Sequence, residues 1–174
     1  MPSCSNLDIV KLAIDALTPI LVLILGIRVN TSLKKSERST DLRSEIYKTI
    51  GVDLNDIYCY LSFVGGWKEL TPIDVITRKR SVDRAIFTYR PFFSEELFTT
   101  YQKFMHESFK PFGGPGTDAC IRSDVESPKG DRRSHGLKTW DPAWENRFTK
   151  EQNHKAQEEA YAKFLKQLAR DLKI

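Results

Sequence analysis

Apolar residues are distributed along this chain in two different ways. From Ile9 to Val29 they occupy every face: thirteen of these 21 residues are Leu, Ile or Val, and no charge interrupts the block from Pro19 to Ile27. As a helix rising roughly 1.5 Å per residue, such a stretch reaches about 30 Å, the thickness of a bilayer's hydrocarbon core. Farther on, Leu42, Ile46, Ile50, Leu54, Ile57, Leu61 and Val64 recur at spacings of three and four. That spacing predicts one buried face of a long amphipathic helix, weakened at Gly51 and ended by Gly65 and Gly66. The polar stretch Thr31 to Thr40 between the two patterns reads as a neck through which the first helix runs nearly continuously into the second.

The first pattern favours lipid. Each Leu, Ile or Val contributes about −0.3 to −0.6 kcal/mol on an insertion scale. A mid-membrane Asp costs about 2.5 to 3.5 kcal/mol. Asp15 lies toward one end of the span, where the penalty falls, and Lys11 sits one turn away. A cleaved signal peptide fits less well, because Asp8 interrupts the leading charges and no small-x-small site follows the apolar run. A buried helix of a soluble domain is the other reading; the block from Pro19 to Ile27 is apolar on every face, which a surface helix would not tolerate. Arg28, Lys34, Lys35, Arg38 and Arg43 crowd the carboxyl side. The positive-inside rule therefore predicts a single-pass inner-membrane protein with its N-terminus outside and its C-terminus in the cytoplasm. The expected organisation is a short tail at 1–8, a transmembrane helix at 9–29, a juxtamembrane neck at 30–41 and a cytoplasmic helical domain at 42–174. Asp15 and Pro19 have two readings: a wet carboxylate beside a tolerated proline, or the lining of a pore assembled from several copies.

Helix punctuation continues through the domain. In "TPID", Thr71 caps a helix, Pro72 takes its first position and Asp74 reaches back. The helix extends to about Arg90 with Val75, Val82, Ile86 and Tyr89 inward. Pro91 stops it, and Ser94 caps the next, with Glu95 and Glu96 at its positive end. That helix presents Leu97, Phe98, Tyr101, Phe104, Met105 and Phe109, a stripe that reads as core. Residues 111–140 lose the pattern to Gly, Pro, Ser and charge, and form an irregular loop. Asp141 and Pro142 restart a helix whose tail carries Trp144, Phe148, Tyr161, Phe164, Leu165, Leu168 and Leu172. Its polar middle, 149–159, is expected to face solvent or a partner. No strand-like alternation appears. The fold class is all-α, a bundle of about four helices behind the membrane span.

Composition narrows the chemistry. A net charge of +4 with both signs interleaved argues against a dedicated nucleic-acid surface, and no specific nucleic acid is expected. Cys4, Cys59 and Cys120 are odd in number and widely spaced, which suits reduced thiols in a cytosolic compartment. His106, His135 and His154 are scattered, so no metal site is predicted, and no cofactor motif is present. "FGGPG" at 112–116 lacks the GK[ST] ending and preceding strand of a phosphate loop. Cys120 with His135 would make a nucleophile only if folding brought them together. Arg78, Lys79, Arg80 and Arg84 form the best basic patch, with Arg80 and Arg84 on one helical face; it could meet anionic lipid or a phosphorylated ligand, and a solvated face with intrahelical pairs is the plainer reading.

Three stretches, "LNDIYCYLSFVGGWKELTPIDVITRKRSVDR", "RPFFSEELFTTYQKFM" and "GTDACIR", resemble a family of small uncharacterised bacterial proteins with one N-terminal membrane helix and a helical cytoplasmic domain. The resemblance covers roughly Leu54 to Arg122 and implies that topology without implying a catalytic role. It draws attention to Asn55, Trp67, Lys68, Lys79, Arg80 and Asp118, which join Arg84 as candidate ligand- or partner-binding residues. The sequence thus predicts a non-enzymatic, membrane-anchored helical protein that binds a partner protein or small ligand, with the bilayer and a second copy among its partners. A pore-forming effector, or an enzyme using the 111–140 loop, are the alternatives.

Overall fold

The computed structural model describes residues 6–111, 114, 118–149 and 151–173, with side chains described from Leu17 onward except at position 35. It is mostly helical. Two compact units divide at Leu42 and Arg43.

Helix α1 spans Asn6–Ser62, so the backbone of the expected tail is already helical from Asn6. In the first unit the apolar side chains from Leu17 to Val29 are 45–64% exposed, and none of the described residues covers them. This helix is long and apolar enough to cross a membrane. Pro19 lies inside it. Asp15 lies outside the residues whose side chains are described.

The second unit has a closed core. The α1 residues Ile46, Ile50, Leu54, Ile57 and Leu61 are buried, as the spacing predicted. The face ends one residue early: Phe63 turns inward at φ 57° and Val64 faces solvent. Gly65, also left-handed at φ 57°, completes the stop. A 3-10 turn at Trp67–Glu69 leads to α2, Pro72–Thr88. Its cap is reciprocal: the Asp74 N–H donates to Thr71 Oγ1 at 3.1 Å, and the Thr71 N–H donates to Asp74 Oδ2 at 2.8 Å. Burial pushes the Asp74 carboxyl up, but hydrogen bonds from Lys138 and Thr71 outweigh it and hold the group below the usual carboxylate range. Arg90–Phe92 forms a 3-10 turn, and α3, Glu95–Ser108, starts where Ser94 Oγ accepts from the Leu97 N–H at 3.1 Å. Leu97, Tyr101, Phe104 and Met105 are buried, and Phe104 and Tyr101 pack on Phe164 of α5, His154–Leu172.

Three expectations need correction. The class is not purely helical: 109–131 holds two short antiparallel ladders, β1 (Phe109–Lys110) with β2 (Cys120–Ile121), and β3 (Glu126–Ser127) with β4 (Gly130–Asp131). Pairs of two residues are too short to print an alternating pattern. Asp141 caps a helix with Pro142 at its first position, as expected, but the helix is of the 3-10 kind and ends at Arg147, short of the chain's tail. The polar stretch 149–159 does not simply face solvent, because Gln157 is buried, its amide donating to the Glu107 and Arg122 carbonyls at 2.9 and 2.5 Å. Capping groups are local and readable, whereas a buried glutamine depends on carbonyls far away in the chain.

Candidate functional site

The 111–140 segment is tied to the end of α1 by one side chain. Arg132 opens the short helix α4, Arg132–His135, and is 2% exposed. Its guanidinium lies 3.8 Å from the ring centres of both Tyr60 and Phe63. It donates to the Tyr60 carbonyl at 2.7 Å, to the Asp124 carbonyl at 2.9 Å and to Ser123 Oγ at 2.9 Å. Burial lowers its pKa to about 10, and burial likewise raises that of Tyr60 to about 12. A buried cation held against two aromatic rings and hydrogen-bonded to carbonyls from separate segments is a structural clasp. Trp67 closes the same corner: a Cβ on Gly130 would stand 2.8 Å from its ring, so only glycine fits there.

The strongest site geometry lies between α2, α3 and the chain flanking β2. A cleft of about 710 Å³ is bounded by Lys79, Arg80, Asp83, Tyr101, Asp118 and an apolar wall that includes Phe87, Met105 and Phe109. Two sets of charges line it. Lys79 Nζ donates to Asp83 Oδ2 at 2.7 Å and stands 5.7 Å from the Phe109 ring centre. Tyr101 Oη donates to the other oxygen of Asp83. Burial, then that carboxylate, drives the Tyr101 hydroxyl pKa upward, so it remains a proton donor. Across the cleft, Arg80 Nη2 meets Asp118 Oδ2 at 2.7 Å, joining positions 38 residues apart. A second cavity of about 440 Å³ lies between the end of α1, the 124–129 turn and the start of α5, where His154 Nε2 is 3.5 Å from Asp124 Oδ2.

The candidate residues separate accordingly. Lys79, Arg80 and Asp118 line the cleft together. Arg84 is exposed one turn beyond Arg80. Trp67 is buried, with Lys68 Nζ exposed 5.7 Å from its ring centre, and Asn55 is exposed on α1. The basic run does not act as one patch, because Arg78 turns back to Asp53 and Asp56, each at 3.0 Å. Asp83 and Tyr101 are site residues that sequence reasoning missed. Asp83 had a signal, four residues after Lys79 on the same face. Tyr101 sat within a core stripe, where its hydroxyl gave none.

Other chemistry is engaged elsewhere. His135 Nδ1 accepts from the Asp131 N–H at 2.9 Å, and the Cys120 thiol faces the Asn146 carbonyl at 3.7 Å. Cys59 and Cys120 are free thiols. Among the described residues no group of three His, Cys, Asp or Glu could hold a metal. Most of the 112–116 glycine run lies outside the described residues. In comparisons with known proteins, no family model, curated protein or solved structure matches this chain.

Proposed function

We propose that the chain is a single-span membrane protein whose helical domain receives a small ligand or partner at the α2–α3 cleft and ties that event to the bilayer. The observation that carries the reading is the contrast in α1: Leu17 to Val29 stay exposed, while the domain from Ile46 onward completes its core without them. An uncovered apolar helix surface of this length is far costlier in water than in hydrocarbon. The basic residues after the span favour a cytoplasmic side for the domain, the topology that the resemblance to small bacterial single-span proteins implies. The paired charges of the cleft, Lys79 with Asp83 and Arg80 with Asp118, support recognition.

Carbonate extraction of membranes holding the full chain tests the anchor, and the chain is expected to stay in the pellet until detergent is added. A C-terminal reporter is expected to be shielded from protease in intact cells. Release by carbonate, or cleavage from outside, overturns the reading.

A further inference from the structure

Arg80 is paired and yet open to water. Its side chain remains 62% exposed while it holds Asp118 at 2.7 Å. Such an exposed pair contributes little to stability, so a competing anion can displace the carboxylate at small cost. Asp118 is not stranded by that exchange. Its Oδ1 accepts from the Ala119 N–H at 2.9 Å, and Arg147 Nη1 stands 3.8 Å from its Oδ2. Lys79 and Asp83, by contrast, are tied to each other and to Tyr101, and form a fixed polar floor. Beside them Phe87 is 61% exposed at the cleft's edge, with Met105 and Phe109 deeper. The space is of the size that takes a nucleotide or smaller organic molecule.

We propose that this cleft binds a small organic anion with a flat apolar body. The anionic group, a phosphate monoester or a carboxylate, replaces Asp118 on Arg80, and the ring lies against Phe87, Met105 and Phe109. Asp118 is then the internal stand-in that occupies the anion position when the cleft is empty. A guanidinium suits this exchange because its planar fork matches carboxylate and phosphate equally. Arg84, exposed one helical turn from Arg80, adds positive potential to the same helix. The proposal rests on the recognition reading above and gives it a ligand class.

Isothermal titration of the detergent-solubilised full chain, in phosphate-free buffer, tests it with adenosine 5′-monophosphate, 1-naphthoate and inorganic phosphate. At least one of the two ring-bearing anions should bind saturably, the phosphate or carboxylate source being told by which one does, and inorganic phosphate should bind more weakly. Arg80→Gln should weaken binding about tenfold, and Asp118→Asn should tighten it about threefold by removing the competing carboxylate. Opposite signs from two neighbouring substitutions cannot come from a general loss of folding. Saturable binding by neither ring-bearing anion overturns the proposal, as does a shift in the same direction for both variants, or inorganic phosphate matching them. Carbonate extraction of the membranes from which the chain is solubilised separates the readings. A chain that stays in the membrane but binds neither probe overturns the ligand alone, and one that binds but washes off overturns the anchor alone.

Discussion

The two ends of helix α1 use the same residue types to opposite effect. From Leu17 to Val29 the Leu, Ile and Val side chains point all round the helix and remain exposed. From Ile46 to Leu61 they fall on one face and are 0–1% exposed, while Tyr47 and Val52 on the other side face water. Composition alone does not separate these segments; angular distribution does. A one-sided stripe can be satisfied by a few packed helices, but an all-round one needs a solvent that is itself apolar or a complete jacket of other chains.

The sharpest way to break that contrast is to charge the first segment. Leu21→Arg with Ile24→Arg adds about 6 to 8 kcal/mol to the cost of insertion, counting roughly 2.5 to 3.5 kcal/mol per arginine near a span's centre and the loss of about 0.3 to 0.6 kcal/mol with each aliphatic side chain. The double variant is expected to leave the carbonate pellet while its thermal unfolding, followed by circular dichroism, stays within a degree or two of wild type. An unfolded or still-embedded product would contradict the division of labour along α1.

The next largest effect belongs to the domain. Arg132→Ala removes a guanidinium lying 3.8 Å from the ring centres of Tyr60 and Phe63, together with its three hydrogen bonds to oxygen acceptors. It should cost about 3 kcal/mol, a fall in Tm of about 10 °C, with membrane partition unchanged. A smaller effect depends on pH. Because the folded Asp74 carboxyl is held below its ordinary range, its contribution is complete above the unfolded pKa of about 4 and is lost as pH falls through the folded value. The Tm gap between wild type and Asp74→Ala should be constant from pH 6 to 8 and narrow below about pH 4. The smallest effect sharpens the boundary of the amphipathic face. Val64→Ser should change stability by less than about 0.5 kcal/mol, whereas Ile57→Ala, from the same stripe, should cost about 2 to 5 kcal/mol.

Legibility follows the range of the interaction. Thr71 with Asp74, and Ser94 with the Leu97 amide, are contacts three residues apart, and the sequence pattern located both helix starts. The last residues of the α1 stripe were misread because the helix stops at Ser62, and a left-handed Phe63 exchanges the roles expected of positions 63 and 64. The cleft was half legible. Lys79 and Arg80 stood out in the basic run and Asp118 only through the resemblance, but Tyr101 looked like any other ring in an amphipathic stripe. Arg132 was hidden in a segment whose composition reads as a solvated loop.

The amino-acid order by itself determined that this protein has one all-round apolar helix and one domain of amphipathic helices, and where several of those helices begin. These are properties of neighbours within a turn or two of each other, set by side-chain periodicity and by backbone N–H groups that a nearby oxygen can satisfy. Only the tertiary structure decided that Arg132 is a buried clasp and that Arg80 meets Asp118 across a cleft. Both depend on bringing distant segments together, and the free energy of a buried charge or a closed pocket is a property of everything packed around it, which no local pattern contains.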